Sequence, residues 1–162
     1  GIVPIVEPEV LMDGNHSIEK CYETTAHNLD ILFAELSDLD VFMPGVILKT
    51  SMVVPGKDSG EKVANEEVAR LTIKCLKGHV PENIGGIVFL SGGMEDGEAT
   101  TRLNAMKKMG ALPWPLTFSY GRAIQNEALE HWAQNPSDVS GAQQKLLEKA
   151  RVNSLASIGQ YK

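Results

Sequence analysis

The sequence predicts an α/β fold in which a β-strand followed by a helix occurs four times and one further helix follows. Short apolar runs alternate with longer segments of helical apolar spacing, and glycine, proline or asparagine separates them. Strands joined through helices are expected to run parallel. Four such units fit a small open sheet with helices on both faces, or half of a (β/α)8 barrel. A whole barrel is excluded, because it needs about 250 residues and the chain has 162.

Each predicted strand is a short apolar run that ends at a polar or glycine-containing loop. The first ends at Glu7, because Pro8 stops regular pairing and holds the preceding residue extended. The second is a buried run whose carboxyl end carries Lys49, and the third and fourth are closed by Ser91-Gly92-Gly93 and Tyr120-Gly121-Arg122. The expected strands span residues 2–6, 41–48, 86–90 and 115–119.

The predicted helices follow from apolar residues at helical spacing and from residues that favour helix starts. Ser17 is a good N-cap for the first helix, whose inner face carries Leu29, Leu32, Phe33 and Leu36. Asn65, followed by two glutamates, begins the second. The expected helices span residues 17–36, 65–76, 96–109, 123–133 and 139–155.

Composition indicates one globular domain over residues 1–162, with 43% hydrophobic and 22% charged residues. The net charge of −6 argues against general nucleic-acid binding, and no apolar run is long enough for a membrane span. Cys21 and Cys75 lie far apart without a metal or disulfide pattern, which favours a reducing compartment. Trp114 and Trp132 are expected to be packing residues. The opening at Gly1, without a leader pattern, predicts no signal peptide and suggests that residues once preceded it.

Parallel strands place all of their carboxyl ends on one rim, where barrels of this kind carry their chemistry. There, an apolar setting for Lys49 would favour the free amine, which can attack a carbonyl. Glu7 on the same rim could relay protons. The alternative for Lys49 is a packed stem with its ammonium group in water, and Glu9 is expected to be a solvated loop acid.

Two glycine-containing loops on this rim suit an anion. Gly92 and Gly93 allow close backbone approach to a ligand before a helix start, which favours negative charge. Gly121 repeats the feature, and Arg122 adds donors suited to phosphate. Taken singly these are as easily a tight turn and a surface arginine, but together they predict a phosphate site.

Several segments occur in the order and spacing of class I fructose-bisphosphate aldolases, and the chain resembles that family over essentially its whole length. These segments are Val3-Pro4-Ile5-Val6-Glu7-Pro8-Glu9, Val46-Ile47-Leu48-Lys49, Phe89-Leu90-Ser91-Gly92-Gly93, Leu116-Thr117-Phe118-Ser119-Tyr120-Gly121-Arg122-Ala123, Asn153-Ser154-Leu155-Ala156 and Gly159-Gln160-Tyr161. The resemblance implies strands 5–8 and a C-terminal helix of a TIM (β/α)8 barrel. One departure is Thr50-Ser51, where vertebrate members usually have Pro-Asn.

The resemblance also implies a lyase that cleaves fructose 1,6-bisphosphate reversibly to dihydroxyacetone phosphate and glyceraldehyde 3-phosphate, in glycolysis and gluconeogenesis. Lys49 matches the Schiff-base lysine and Glu7 the acid/base glutamate of that metal-free, cofactor-free reaction. The residues that match its phosphate site are Ser91, Gly92, Gly93, Ser119, Gly121 and Arg122. The implied partners are the sugar phosphate, the N-terminal half of the barrel and identical subunits in a cytoplasmic tetramer, with no nucleic acid or membrane.

Two alternatives stay open at this point. One is another imine-forming barrel enzyme, of the transaldolase or deoxyribose-phosphate aldolase kind. The other is a non-catalytic half-barrel that descends from an aldolase and serves as an interaction module.

Overall fold

The computed structural model describes residues 1–95 and 97–162, and its α/β architecture confirms the predicted class. The strands are β1 (Ile5–Val6), β2 (Ile47–Thr50), β3 (Gly86–Phe89) and β4 (Leu116–Phe118). The helices are α1 (Ile18–Asp38), α2 (Asn65–His79), α3 (Glu98–Lys108), α4 (Arg122–Gln134) and α5 (Val139–Ala156). A short 3-10 helix, Met43–Gly45, precedes β2.

The four strands form one parallel sheet whose spatial order follows the chain, β1-β2-β3-β4. Val6 pairs with Leu48 in the register of β1 and β2. Hydrogen bonding continues past the strand ends, since Leu90 N donates to Thr50 O at 3.1 Å and Ser119 N donates to Phe89 O at 2.8 Å. The carboxyl ends of the strands therefore lie side by side on one rim.

The two faces of the sheet differ in burial. Leu48 and Phe89 are fully buried in the core shared with the helices, whereas Ile47, Lys49 and Val88 on the other face stay partly exposed. In a (β/α)8 barrel the face away from the helices lines the barrel interior. The sheet thus has the form of a four-strand section of such a barrel, with its inner face open in this chain.

The helices begin and pack as the sequence suggests. Ser17 caps α1 by accepting from Lys20 N at 3.3 Å. Glutamates in the first turn of α2 and basic residues in its last turn complement the helix dipole. Helices α3 and α5 are joined by a buried hydrogen bond from Thr100 Oγ1 to Asn153 Oδ1 at 2.8 Å. This bond fixes the C-terminal helix against the barrel section.

The second predicted strand was wrong over residues 41–46. Pro44 lies in the 3-10 helix Met43–Gly45, and Phe42 before it is 75% exposed rather than buried. The strand begins at Ile47, so Lys49 lies inside β2 and not beyond its end. Pro44 has no N–H to donate to a ladder, so strand pairing cannot run continuously through this segment.

Other bounds differ at element ends. Strand β1 is limited to Ile5–Val6 because its partner β2 starts only at Ile47, and Ile2 is 96% exposed. Helix α2 continues to His79, three residues beyond the prediction. The predicted start of the third helix, Asp96, lies outside the described residues. Trp114 is buried as expected, but Trp132 is 51% exposed, so its assignment as a packing residue was wrong for this chain.

Candidate functional site

A lysine and a glutamate from neighbouring strands form the centre of the site. Lys49 Nζ lies 2.7 Å from Glu7 Oε1, and the two side chains are 23% and 45% exposed. The pairing of Val6 with Leu48 brings Glu7, one residue further along, beside Lys49. Lys49 therefore lies beside the carboxylate that was expected on the same rim. A carboxylate at this distance can take a proton from the amine or return one.

Two buried hydroxyl groups behind this pair hold the segment that follows Glu7. Thr50 Oγ1 donates to Pro8 O at 3.2 Å, and Val10 N donates to Ser51 Oγ at 3.2 Å. Both hydroxyl side chains are buried. Pro8 has no N–H with which to continue a ladder, so side chains supply the contacts that backbone pairing would otherwise make.

From the sequence, Thr50 and Ser51 stood out only as a departure from the vertebrate pattern. Two hydroxyl residues follow a buried strand whose neighbour in the sheet ends at a proline. This pattern was the available sign of their supporting role.

A cleft of about 250 Å³ opens on the rim above the Lys49–Glu7 pair. It contains all of the predicted site residues except Gly93, together with Glu9 and Leu90. The predicted residues in it are Glu7, Lys49, Ser91, Gly92, Ser119, Gly121 and Arg122. Gly93 lines two adjoining clefts instead. The exposed carboxylate of Glu9, expected to be only a solvated loop acid, thus also faces this space.

The loop after β3 makes a tight turn that only glycine accommodates easily. Gly92 and Gly93 have φ angles of +51° and +78°, in the left-handed region that L side chains rarely adopt. A Cβ atom on Gly92 would lie 2.9 Å from Leu90 Cδ1. Met94 N donates to Ser91 O at 2.9 Å and closes the turn. The backbone of this loop is thereby left accessible at the edge of the cleft.

Two cationic groups approach the same glycine from different loops. The position that a Cβ atom on Gly93 would occupy is 3.2 Å from Lys57 Nζ and 3.7 Å from each terminal nitrogen of Arg122. Arg122 is the first residue of α4, and Lys57 lies in the loop after β2. Sequence reasoning missed Lys57, because a lysine in a polar loop has no pattern that separates it from other surface lysines.

Buried polar groups beneath the rim support it. Tyr120 Oη donates to Ala99 O at 3.0 Å, and burial raises the pKa of its phenol. Arg102 Nε donates to Asn65 Oδ1 at 2.9 Å, while burial lowers the pKa of its guanidinium and the nearby Glu98 opposes that shift. A neutral phenol and a guanidinium that is partnered through Nε and Nη2 anchor the start of α3 beside the glycine loop.

The two cysteines are free and buried. Burial raises the pKa of the Cys75 thiol to about 12, with a further upward contribution from Cys21, whose own pKa burial also raises. Both thiols are therefore protonated near neutral pH and suited to packing rather than to nucleophilic chemistry.

Within residues 1–95 and 97–162, no three His, Cys, Asp or Glu side chains are grouped so that they could hold a metal ion. None of the helices in this described part of the chain is both long enough and apolar enough to cross a membrane.

Known proteins similar to this chain share one activity name. The chain is 51% identical, over its whole length, to a probable fructose-bisphosphate aldolase class 1 of Xanthomonas axonopodis pv. citri, of which it covers 49%. It is 47% identical to a cytosolic fructose-bisphosphate aldolase of Arabidopsis thaliana, of which it covers 42%. The chain thus spans about half the length of the curated relatives it matches.

A comparison with a solved structure agrees with these sequence similarities. Fructose-bisphosphate aldolase from Plasmodium falciparum, solved in complex with TRAP and a small-molecule inhibitor, superposes with a TM-score of 0.96 at 43% identity, covering 99% of this chain and 46% of that one. The family model described as fructose-bisphosphate aldolase class-I matches residues 1–162. The resemblance found in the sequence is confirmed, and the chain belongs to the class I fructose-bisphosphate aldolase family.

Proposed function

We propose that residues 1–162 form the C-terminal half of a class I fructose-bisphosphate aldolase and carry its imine-forming centre. The reaction is the reversible cleavage of fructose 1,6-bisphosphate to dihydroxyacetone phosphate and glyceraldehyde 3-phosphate, a step of glycolysis and gluconeogenesis. The observation that carries the proposal is the 2.7 Å approach of Lys49 Nζ to Glu7 Oε1 on a rim with two glycine-containing loops.

In the proposed mechanism Glu7 first takes a proton from the Lys49 ammonium group. The free amine attacks the ketose carbonyl to give a carbinolamine, and Glu7 returns a proton to the hydroxyl group that leaves as water. Glu7, again a carboxylate, then takes the proton of the hydroxyl group on the carbon that becomes the aldehyde. The carbon–carbon bond breaks, and its electron pair moves to the protonated imine to give an enamine. The aldehyde product leaves first, and protonation and hydrolysis of the remaining enamine then release the ketone and restore Lys49.

The phosphate group nearest the imine binds between the two loops of the rim. Its ligands are Ser91, Gly92, Gly93, Ser119, Gly121 and Arg122. The amino end of α4 favours the negative charge of the phosphate group. Arg122 presents a planar set of donors that matches phosphate oxygens. This contact fixes the carbonyl carbon relative to Lys49, so binding energy is used for orientation.

The rest of the barrel completes the enzyme. The N-terminal half closes the open face of the sheet and supplies the contacts to the second phosphate. The complete protein is a cytoplasmic homotetramer, as the family resemblance implies, and it works without a metal ion or other cofactor.

The test uses the full-length protein with dihydroxyacetone phosphate and borohydride, followed by intact-mass measurement and peptide mapping. We expect a reduced adduct on Lys49. Lys49→Met should abolish both the adduct and turnover, whereas Lys20→Met, at an exposed lysine of α1, should leave both unchanged. Glu7→Gln should lower kcat by about 10²- to 10⁴-fold, the usual contribution of a positioned acid–base group.

Turnover that survives in Lys49→Met would refute the proposal. Cleavage only of substrates with a single phosphate would favour another imine-forming aldolase. A folded protein without any adduct would favour the non-catalytic interaction module.

A further inference from the structure

We infer that Lys57 is a second cationic ligand of the phosphate group, acting with Arg122 across Gly93. This inference rests on the proposed function and deepens it, because it assigns a binding role to a loop outside the two glycine-containing loops. The carrying observation is that the Lys57 ammonium group and the Arg122 guanidinium group lie within 3.7 Å of one point beside Gly93 Cα.

The backbone that carries Lys57 is held firmly. Three hydrogen bonds join the loop after β2 to the loop after β1: Gly56 N to His16 O at 2.9 Å, Lys57 N to Met12 O at 2.8 Å, and Asp58 N to Gly14 O at 2.9 Å. Gly56 itself packs so closely on Gly14 that a Cβ atom would collide with the Gly14 carbonyl. This junction directs Lys57 towards the rim. The position of the Lys57 ammonium group is therefore set by a fixed backbone as well as by its flexible side chain.

The two cations are free to bind a ligand. Among residues 1–95 and 97–162, neither Lys57 nor Arg122 has an ion-pair or side-chain hydrogen-bond partner. Three described acidic residues line the cleft beside Lys57. Glu98 pairs with Arg102 at 3.1 Å, Glu61 accepts from Ile18 N at 3.0 Å, and Glu95 forms no ion pair with either cation in the described part of the chain. The positive charges of Lys57 and Arg122 lie close enough to repel each other, and an anion bound between them removes that repulsion.

The chemistry of the two groups suits one kind of ligand. Arg122 offers a fixed planar fork, and Lys57 offers a compact charge with three rotatable donors. A phosphomonoester dianion has enough acceptor oxygens for both, together with the backbone of the glycine loop. A neutral sugar hydroxyl would gain little from the second cation. Lys57 therefore contributes to discrimination between phosphorylated and unphosphorylated ketoses.

Arg122 and the two glycine-containing loops already hold the phosphate group in position, so the Lys57 contact adds attraction that is the same in the bound substrate and in the transition state. Removing it should raise KM and leave kcat within about twofold. For Lys57→Met in the full-length protein we expect KM for fructose 1,6-bisphosphate to rise about 5- to 30-fold, between the effect of an exposed ion pair and that of a charge-assisted hydrogen bond. Lys57→Arg should restore most of the loss, because it keeps the charge.

Two further measurements separate a phosphate contact from a structural role. Turnover of unphosphorylated fructose should be the same in Lys57→Met and in the unmodified protein. Lys62→Met, at an exposed lysine further along the loop, should leave KM unchanged. An unchanged KM in Lys57→Met, or an equal loss with fructose, would overturn the inference.

Titration calorimetry with inorganic phosphate measures binding directly and tests the role of Lys57 without turnover. We expect Lys57→Met to weaken that binding by a similar factor. If the unmodified protein binds phosphate but forms no borohydride adduct, the proposed function fails while Lys57 is still tested. If phosphate binds equally to both proteins, Lys57 is not a ligand whatever the activity.

Discussion

Thr50 and Ser51 place hydroxyl groups directly behind the Lys49–Glu7 pair. Their hydrogen bonds replace the backbone pairing that is absent there. The 3.2 Å hydrogen bond from Thr50 to Pro8 O is buried on the threonine side. It restrains the residue that follows Glu7, so the carboxylate keeps its distance from Lys49. Removing the donor leaves a carbonyl group in a partly buried place without its partner.

Thr50→Val in the full-length protein should lower the free energy of unfolding by about 1–3 kcal/mol, because an acceptor loses its hydrogen bond on a nearly isosteric change. It should also lower kcat, because Glu7 is held less firmly. Urea denaturation and steady-state kinetics measure the two effects. Thr50→Ser keeps the hydroxyl and serves as the matched control. Equal stability and kcat in Thr50→Val and the unmodified protein would show that the bond has no such role.

The junction of the loops after β1 and β2 is the feature that most affects function at the scale of elements. Its three backbone hydrogen bonds tie together two loops that begin on neighbouring strands. Gly56 makes this approach possible, since any side chain there would meet the Gly14 carbonyl. The junction therefore orients the loop of Lys57 and also limits movement of the segment that starts at Glu7.

Gly56→Ala should separate the loops and lower the free energy of unfolding by about 1–3 kcal/mol, the usual cost of inserting an atom into a packed site. Gly78→Ala is the matched control, because Gly78 lies in α2 with open space around its Cα. The control should instead stabilise the protein by about 0.5–1 kcal/mol, through the better helix propensity of alanine. Thermal unfolding of both variants tests the pair, and two shifts of the same sign would count against this account of Gly56.

The whole molecule has an open side. Within residues 1–95 and 97–162, β1 pairs only with β2, so its other edge is unpaired there, and Ile5 on it is exposed. Large apolar side chains of α4 and α5, including Leu129, Trp132 and Leu147, are also exposed. Unpaired strand edges and apolar patches of this kind favour association with another chain.

The isolated 162-residue polypeptide should therefore self-associate and cleave fructose 1,6-bisphosphate poorly. Size-exclusion chromatography with light scattering at several concentrations measures the association, and an aldolase assay measures the activity. Ile5→Lys should reduce association, because a charge on an edge strand discourages pairing. A monodisperse monomer with full activity would contradict the half-barrel proposal.

Local patterns were sufficient to predict the order of strands and helices, because apolar periodicity and turn residues act within a few positions. They failed at 41–46, where the apolar run is interrupted by Pro44 and forms a 3-10 helix. The prediction that Trp132 is a packing residue was wrong for a different reason. Its exposure depends on what covers α4, which the sequence of the helix does not encode.

The cleft residues on the strand ends could be anticipated, because parallel strands share one rim. Thr50, Ser51 and Lys57 could not be, since their roles depend on which loops meet in space. The hydrogen bonds of Thr50 and Ser51 join residues 42 and 41 positions apart. Such contacts follow from register and loop closure, and neither leaves a short sequence pattern.

The alternation of side chains along β2 limits where the chain can gain or lose residues. Ile47 and Lys49 point to the open face of the sheet, whereas Leu48 and Thr50 point to the helices. Deleting one residue before Lys49 within β2 would turn its amine into the helix layer, away from Glu7. At Gly60, where a side chain would meet open space, an added residue leaves that phase unchanged. The loop can therefore change length near Gly60, beyond Lys57, whereas the phase of Lys49 within the strand is fixed.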